Sequence, residues 1–298
     1  MKKESRTYVR PVFDGDNHWV CIAGEKIVLE PHSTFSGLTF DHIDLTGLSL
    51  TSCEFVDCKF IDCIIELTEF SHSQFKNTDF SKSSLLSSVF LWSQMTDVTI
   101  NDCAVNEARF NYGHLVRCVF IDSDLSETNF WECQLINSTI KSCKLDKCQM
   151  VKTQMIKVEF QSCVAKCKSW HLKKAVLEHV TFQNCQAWKA KLIECKFTDL
   201  VLDRSNFHKS AFIKCVFKSS TIVHTGFNEA HLIACSFIDT KLHACRFRLA
   251  KMTATSLESC TIEISSLEKT DLSQTIFFES DLQQNYTGEP FGLETKYN

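Results

Sequence analysis

The sequence repeats with a period of five residues over most of its 298 residues. Between Cys53 and Phe80 a large apolar side chain occupies every fifth position, and a small side chain stands two residues before it. The large residues are Phe55, Phe60, Ile65, Phe70, Phe75 and Phe80, and the small ones are Cys53, Cys58, Cys63, Thr68, Ser73 and Thr78. An α-helix repeats every 3.6 residues and a β-strand every two, so neither element alone explains this period.

We call the large apolar position the centre and the residue two before it the small position. Centres run without a polar residue from Phe35 to Phe160. The period then shifts by two residues, resumes at Leu172 and continues to Leu282, with Ala187 as its one small centre. Of the 24 Phe residues, 21 are centres. The other three residues of each repeat are mostly polar.

Two of every five residues are therefore expected to face an interior, one large and one small. A chain that turns a corner every five residues closes a four-sided coil in about 20 residues. Successive coils would stack at the β-strand spacing of roughly 4.8 Å. Each coil buries its inner residues only when a neighbouring coil covers it, so stability would depend mainly on neighbouring coils.

This pattern resembles the pentapeptide-repeat family, whose consensus is Ala-(Asp/Asn)-Leu-x-x. The resemblance covers about residues 33–282. It implies an all-β fold, a right-handed quadrilateral parallel β-helix of about twelve coils. The chain departs from the family consensus because Cys, Ser and Thr replace Ala at most small positions and Phe is unusually frequent at the centre.

The pattern divides the chain into three parts. Residues 1–32 lie outside the repeat, alternate apolar and polar residues, and carry turn signals at Asp14-Gly15 and Ala23-Gly24. They predict an N-terminal β cap over the first coil, where an open end would expose unpaired backbone. The β-helix is expected over 33–284, with its phase slip at 165–172. Residues 285–298 form a polar C-terminal tail.

The 17 cysteines are expected to serve as packing. Fifteen stand at small positions, and only Cys21 and Cys167 do not. Cys behaves there as a small apolar residue. Abundant unpaired thiols favour a reducing compartment, so we predict a cytoplasmic protein; the alternative is a secreted bacterial effector acting in a host cell. No apolar run approaches the 18 residues that suggest a membrane span.

The net charge is −4, but acidic and basic residues are concentrated in different parts of the chain. Residues 33–130 hold 14 acidic against 5 basic residues, and residues 131–260 hold 10 acidic against 20 basic residues. We therefore expect an acidic first half and a basic middle. One interpretation is local drift among outward positions that only need to be polar; the other is a basic surface for an acidic partner.

The phase slip is the clearest local anomaly and the candidate partner-binding site. We expect a projecting loop there, because loops on rigid scaffolds often carry function. The candidate residues are Lys166, Lys168, Trp170, His171, Lys173 and Lys174. The alternative is a tolerated insertion that lets the coil restart. Cys167, between two lysines, is the one thiol whose setting could activate it.

The sequence contains no glycine-rich phosphate loop and no clustered metal ligands. We therefore predict no enzymatic activity, cofactor or metal. The family resemblance favours a protein-interaction scaffold, either a bacterial effector or a fragment of one, whose partner is a protein. The alternative is a topoisomerase-protecting DNA mimic like the quinolone-resistance members of the family, which would bind DNA gyrase. Direct nucleic-acid binding by the basic middle is less favoured.

Overall fold

The computed structural model describes residues 7–15, 17–165 and 170–283. It confirms the predicted fold: the chain forms a right-handed quadrilateral parallel β-helix of about twelve coils. Each coil passes in turn through four sides, which we call faces 1 to 4. The predicted polar tail, residues 285–298, lies outside the described residues.

Faces 1 and 2 are parallel sheets of 13 strands each. The strands of face 1 are Thr34–Ser36, Glu54–Val56, Gln74–Lys76, Gln94–Thr96, His114–Val116, Gln134–Ile136, Gln154–Ile156, Val176–Glu178, Lys196–Thr198, Val216–Lys218, Ser236–Ile238, Ser256–Glu258 and Ile276–Phe278. The strands of face 2 are Thr39–Asp41, Lys59–Ile61, Asp79–Ser81, Thr99–Asn101, Val119–Ile121, Thr139–Lys141, Glu159–Gln161, Thr181–Gln183, Val201–Asp203, Thr221–Val223, Lys241–His243, Thr261–Glu263 and Asp281–Gln283.

Faces 3 and 4 are held mostly by single-residue parallel bridges, with fewer full strands. The strands of face 3 are Val164–Ala165 and Gln186–Ala187. The strands of face 4 are Gln149–Val151, His171–Lys173, Lys191–Ile193, Ala211–Ile213 and His231–Ile233. The bridges extend both faces through the remaining coils, from Asp44 on face 3 and from Ser49 on face 4.

Centres stack on centres from coil to coil, because the register between neighbouring strands equals one coil. Phe55 pairs with Phe75, 20 residues later, and Phe60 pairs in the same way with Phe80. Stacked phenyl rings follow this register: the Phe60 and Phe80 centroids lie 4.7 Å apart with nearly parallel planes. The interior is therefore a set of side-chain columns, as the period of five predicts.

Each corner places one ordinary residue in a left-handed backbone conformation. The residue two after the centre has a positive φ at nearly every described corner, for example 53° at Asp57 and 60° at Trp92. Only Gly37 and Gly47 supply glycine at these corners. A left-handed L-residue costs roughly 1–2 kcal/mol, so the fold accepts repeated local strain that the stacked interior must offset.

The small positions hold Ser, Thr and Cys because their side chains bond to backbone carbonyls at the corners. Thr68 Oγ1 donates to the carbonyl oxygen of Leu45 at 2.8 Å. The thiol of Cys63 donates to the carbonyl oxygen of Phe40 at 3.2 Å. Alanine, the consensus residue, cannot make this bond. The Leu45 carbonyl also accepts the Leu48 amide at 3.1 Å, so the side chain at the small position adds a second hydrogen bond to a carbonyl that can accept two.

Ser73→Ala should lower the free energy of unfolding by about 1–3 kcal/mol. The Ser73 hydroxyl accepts a hydrogen bond from the Cys53 amide at 3.0 Å and donates one to the Leu50 carbonyl at 3.0 Å. Alanine would leave both buried groups without a partner. Urea unfolding measures the change, and Ser36→Ala, on the exposed side of face 1, is the matched control. Equal losses for the two variants would contradict this assignment.

An antiparallel three-stranded sheet lies before the first coil. Strand β1 (Val12–Phe13) pairs with β2 (His18–Ile22), which pairs with β3 (Glu25–Leu29). Val20 and Leu29 are buried and belong to the hydrophobic core. Val9 bridges to Ile43 at the start of face 3, through a hydrogen bond from its amide to the His42 carbonyl at 2.8 Å. The sheet and the coils therefore share one hydrophobic core.

Candidate functional site

The phase slip is a coil of 22 residues between coils of 20. Met155 pairs with Leu177 on face 1, and Gln149 pairs with His171 on face 4. All four faces keep their parallel pairing across the slip, so the two extra residues fall between Ala165, at the end of its face 3 strand, and His171, at the start of the next face 4 strand. Residues 166–169 lie outside the described residues.

Trp170 is part of the interior, which corrects its prediction as a partner-binding residue. Its side chain is 1% exposed, and its ring centroid lies 5.4 Å from those of Phe160 and Phe182. Trp170 occupies a small position, two residues before the centre Leu172. A partner cannot reach this side chain without unfolding the coil. The indole Nε1 has no hydrogen-bond partner among the described residues.

Two small centres stand on face 3 in the coils around Trp170. Ala165 and Ala187 pair with each other on face 3, where the other described centres are larger apolar residues. Protein interiors are packed to a constant density, so a large residue at a small position requires small residues nearby. The sequence presents Ala187 as an isolated exception to the repeat; we infer that the small volumes of Ala187 and Ala165 leave room for the indole of Trp170.

The remaining described residues of the predicted site lie on the surface of face 4 and at its corner with face 1. Lys173 and Lys174 are exposed, and His171 is partly exposed. Lys191 lies one coil later, paired with His171, and is exposed as well. We call these four residues the basic face. Lys166, Lys168 and Cys167 lie outside the described residues, so the projecting loop and their part in binding stay predictions.

The basic face has little neutralising charge around it. Lys174 Nζ lies 3.7 Å from a carboxylate oxygen of Glu194, while Lys173 and Lys191 have no ion pair among the described residues. Partial burial, together with the positive charge of Lys191, lowers the pKa of His171 below its usual value of 6.5. The imidazole is therefore neutral near pH 7, and the lysines carry the positive charge of this surface.

A second surface feature, which the repeat analysis did not identify as a site, is a column of aromatic side chains at the corner between faces 4 and 1. Trp92 and Tyr112 occupy equivalent left-handed corners one coil apart, with ring centroids 4.2 Å apart and planes 5° from parallel. Trp131 follows, with its centroid 5.5 Å from that of Tyr112. Trp92 is 54% exposed. We call these three residues the aromatic ladder.

The aromatic ladder is followed along the same corner by Lys152. Its Nζ lies 5.8 Å from the centroid of the Trp131 ring and 2.6 Å from a carboxylate oxygen of Glu132. A sequence signal for the ladder does exist: aromatic residues recur about 20 positions apart outside the centres. Exposed apolar patches on monomeric proteins commonly mark interaction sites. The aromatic ladder is therefore a candidate contact surface.

The fifteen cysteines at small positions are buried, as predicted, while Cys21 is exposed. Burial raises the pKa of the Cys63 thiol to about 12 and that of Cys103 to about 11. These thiols are therefore protonated at neutral pH and poorly reactive. Within the described part of the chain, no three His, Cys, Asp or Glu side chains are grouped so that they could hold a metal ion.

Comparisons with known proteins agree with this architecture. A family model described as "Pentapeptide repeat region" matches residues 33–110 and 113–192, and one described as "Pentapeptide repeats (8 copies)" matches residues 182–218. These matches cover more than half of the chain, so the chain belongs to the pentapeptide repeat family. The resemblance drawn from the sequence is thereby confirmed. No curated protein matches the chain in sequence.

Solved structures also match the chain at low sequence identity. HetL, a pentapeptide repeat protein involved in heterocyst differentiation regulation from the cyanobacterium Nostoc, is 14% identical, with 79% of this chain and 90% of HetL covered and a TM-score of 0.42. QnrB1, a plasmid-mediated fluoroquinolone resistance protein, is 13% identical, with 62% and 94% covered and a TM-score of 0.44. At these identities the similarity concerns the fold alone. In the part of the chain that the structure describes, no helix has the length and apolar character needed to cross a membrane.

Proposed function

We propose that the protein is a non-enzymatic scaffold that binds an acidic protein partner through the basic face. The observation that carries the proposal is the exposure of Lys173 and Lys191, without ion pairs among the described residues, on a flat side of a stacked β-helix. Because every coil pairs with its neighbours, the spacing of these charges is fixed before binding. Such preorganisation lowers the entropy cost of association.

Electrostatics would make this binding fast and specific. Surface lysines held on a rigid wall attract a partner with a complementary acidic patch and exclude partners of like charge. The predicted loop residues Lys166 and Lys168 would add to the same patch. The role is that of an effector or effector fragment if the partner belongs to a host cell, and of a cytoplasmic scaffold if it belongs to the same cell.

Charge reversal on the basic face tests the proposal. The Lys173→Glu/Lys191→Glu variant and the wild-type protein serve as baits for affinity capture from bacterial and eukaryotic lysates, with quantification by mass spectrometry. The matched control is Lys59→Glu/Lys76→Glu, which makes the same charge change on exposed strand positions of the acidic half. We expect one or more acidic proteins to be lost with the first variant and retained with the control.

Both variants should keep the wild-type melting temperature, because the four lysines are exposed strand residues. Identical sets of captured proteins for the wild type and the Lys173→Glu/Lys191→Glu variant would contradict binding through the basic face. A large fall in melting temperature for that variant would show that these lysines support the coil instead.

Protection of DNA gyrase by DNA mimicry is the second candidate function, and the distribution of carboxylates favours it. Face 2 and its two flanking corners carry a series of at least partly exposed acidic residues in the first five coils: Asp41, Asp57, Asp79, Asp97, Asp102 and Asp122. Duplex DNA presents one negative charge per roughly 1.7 Å, so a DNA mimic needs a closely spaced column of carboxylates. Arg117 neutralises part of the negative charge on this surface by donating two short hydrogen bonds to Asp97.

A supercoiling assay tests this second function. DNA gyrase is inhibited by a fluoroquinolone and titrated with the purified protein. Recovery of supercoiling would support mimicry, and a charge-reversed Asp79→Lys/Asp102→Lys variant should then lose the effect. Absence of protection at micromolar protein would remove this candidate.

A further inference from the structure

Face 4 carries a column of aliphatic side chains directly after the basic face. Ile193, Ile213 and Ile233 occupy the same strand position in three consecutive coils and pair in register, and Lys173 precedes them in the same column. Each isoleucine follows an inward centre, so its side chain lies on the outer side of the sheet, where it is partly exposed. At the strand spacing of roughly 4.8 Å the three residues span about 10 Å. We call them the isoleucine column.

Lysines flank the isoleucine column on both sides. Lys189 and Lys209 occupy consecutive corners between faces 3 and 4, and Lys214 occupies a corner between faces 4 and 1. Among the described residues from His171 to Thr253, face 4 and its two corners carry seven lysines and two glutamates, which are Lys173, Lys174, Lys189, Lys191, Lys209, Lys214, Lys251, Glu194 and Glu229. This surface is therefore positive on both sides of an apolar stripe.

A groove of about 470 Å³ lies beside the isoleucine column at the corner between faces 3 and 4. Its lining includes Ala211, His231, Leu249 and Lys251. Ala211 is the small member of its column, between its register partners Lys191 and His231, and the Leu249 side chain is 40% exposed. The groove therefore offers room and an apolar contact for one large side chain of a partner.

We propose that face 4 binds an amphipathic α-helix of the acidic protein partner, with the helix axis along the isoleucine column. The inference rests on the proposed function, because it specifies the partner that the basic face receives. Apolar side chains of the helix contact the isoleucines, and acidic side chains on its two flanks meet the lysines at both corners. A helix with its side chains is about 10–12 Å wide, so one helix covers the apolar stripe and reaches toward both rows of lysines.

The dimensions of the isoleucine column favour a helix over an extended peptide. Helical residues i, i+4 and i+7 lie on one face and span about 10.5 Å, which matches the column. Three same-side residues of an extended chain span about 13 Å. The strand Ala211–Ile213 also pairs on both sides, with Lys191–Ile193 and His231–Ile233. An extended peptide therefore finds no free strand edge on this part of face 4.

The same surface suits a protein better than an anionic membrane. Glu194 and Glu229 occupy corners on opposite sides of the isoleucine column, where they repel anionic headgroups but can pair with basic residues of a helix. A membrane-binding surface buries its apolar side chains about 5–10 Å into the headgroup and acyl boundary. The isoleucines are partly buried in the wall and cannot reach that depth.

Fluorescence anisotropy with a synthetic peptide tests the proposal. The probe is a fluorescein-labelled helix of about five turns with leucines at i, i+4 and i+7 and glutamates on both flanks. The matched control peptide has the same composition, with its leucines distributed around the helix. We expect the purified protein to bind the first peptide at least about tenfold more tightly than the second, and this binding should weaken with added salt because the charges are exposed.

Two variants remove the two kinds of contact. Ile213→Thr should raise the dissociation constant of the amphipathic peptide by about fivefold, because apolar contact area is lost. Lys189→Glu/Lys214→Glu should raise it by at least about tenfold, because like charges then face the glutamates of the peptide. Both variants should keep the wild-type melting temperature, since Thr253 and Glu194 occupy equivalent positions in other coils.

The control variants make the same exchanges elsewhere on the rod. Ile136→Thr changes a partly exposed isoleucine on face 1, and Lys59→Glu/Lys76→Glu reverses two charges in the acidic half. Both should bind the amphipathic peptide as the wild type does. A rise in dissociation constant for Ile136→Thr equal to that for Ile213→Thr would contradict binding along the isoleucine column.

Three further results would overturn the proposal. Equal affinity for the two peptides would mean that face 4 selects acidic charge without a helix, and the proposed function would then still stand. Failure to bind either peptide would exclude the helix while the lysate capture remains the separate test of the proposed function. Tighter binding to vesicles of phosphatidylcholine and phosphatidylserine than to the amphipathic peptide would assign the surface to a membrane instead.

Discussion

Trp170→Ala should lower the free energy of unfolding by roughly 3–5 kcal/mol, the range for removal of a buried tryptophan. The side chain is 1% exposed and packs beside the stacked rings of Phe160 and Phe182, 5.4 Å from each centroid. Alanine would leave a cavity that the neighbouring Ala165 and Ala187 cannot fill. Urea unfolding measures the loss, and hydrogen exchange should show it first in the coils on either side, since each coil depends on its neighbours.

Two further variants separate packing from other causes. Trp188→Ala removes a tryptophan that is 37% exposed and should cost far less. Ala187→Leu alone should overpack the interior and destabilise by about 1–3 kcal/mol, whereas in the Trp170→Ala background it should recover part of the loss by filling the cavity. Additive effects of Trp170→Ala and Ala187→Leu would show that the alanine does not compensate for the indole.

Phe75→Ala should lower the free energy of unfolding by a similar amount, roughly 3–5 kcal/mol. Phe75 is 1% exposed. Its ring stacks on that of Phe55 at 4.9 Å and has the rings of Phe70, Phe80 and Phe90 within 6 Å. Alanine would remove four aromatic contacts in addition to the buried area. Thermal and urea unfolding measure the effect.

Phe278→Ala is the matched control, because this phenylalanine falls outside the period and is 44% exposed. Its loss should change the free energy of unfolding by less than about 0.5 kcal/mol, as is usual for surface substitutions. Comparable losses at Phe75 and Phe278 would mean that the five-residue period does not separate interior from exterior positions.

The fold could be predicted from the sequence because one constraint acts on every coil. A centre must fill the interior and a small position must let the corner close, so the same restriction recurs about fifty times. The type and spacing of residues such as Phe60 and Cys63 therefore predict that their side chains lie in the interior. The two-residue slip is visible for the same reason, since it shifts the phase of every later centre.

The candidate site was harder to predict, because the outward positions obey no comparable rule. Trp170 appears from sequence to belong to a projecting loop, since tryptophan at a small position breaks the pattern. We infer that its burial uses the small volume of Ala187, 17 residues later, and the five-residue period does not relate these two positions. The aromatic ladder was missed because Trp131 is offset by one residue from the corner that Trp92 and Tyr112 occupy.

Native-state alkylation, with each modified cysteine identified by mass spectrometry, tests the central claim that the repeat encloses the small positions in a continuous interior. Iodoacetamide should modify Cys21 in the folded protein, while the fifteen cysteines at small positions react only after unfolding in guanidinium chloride. Their protection follows from burial, and for thiols such as Cys63 the raised pKa adds to it. If any of those fifteen reacted in the folded protein as fast as Cys21, its corner would be open to solvent and the enclosed four-sided coil would be contradicted.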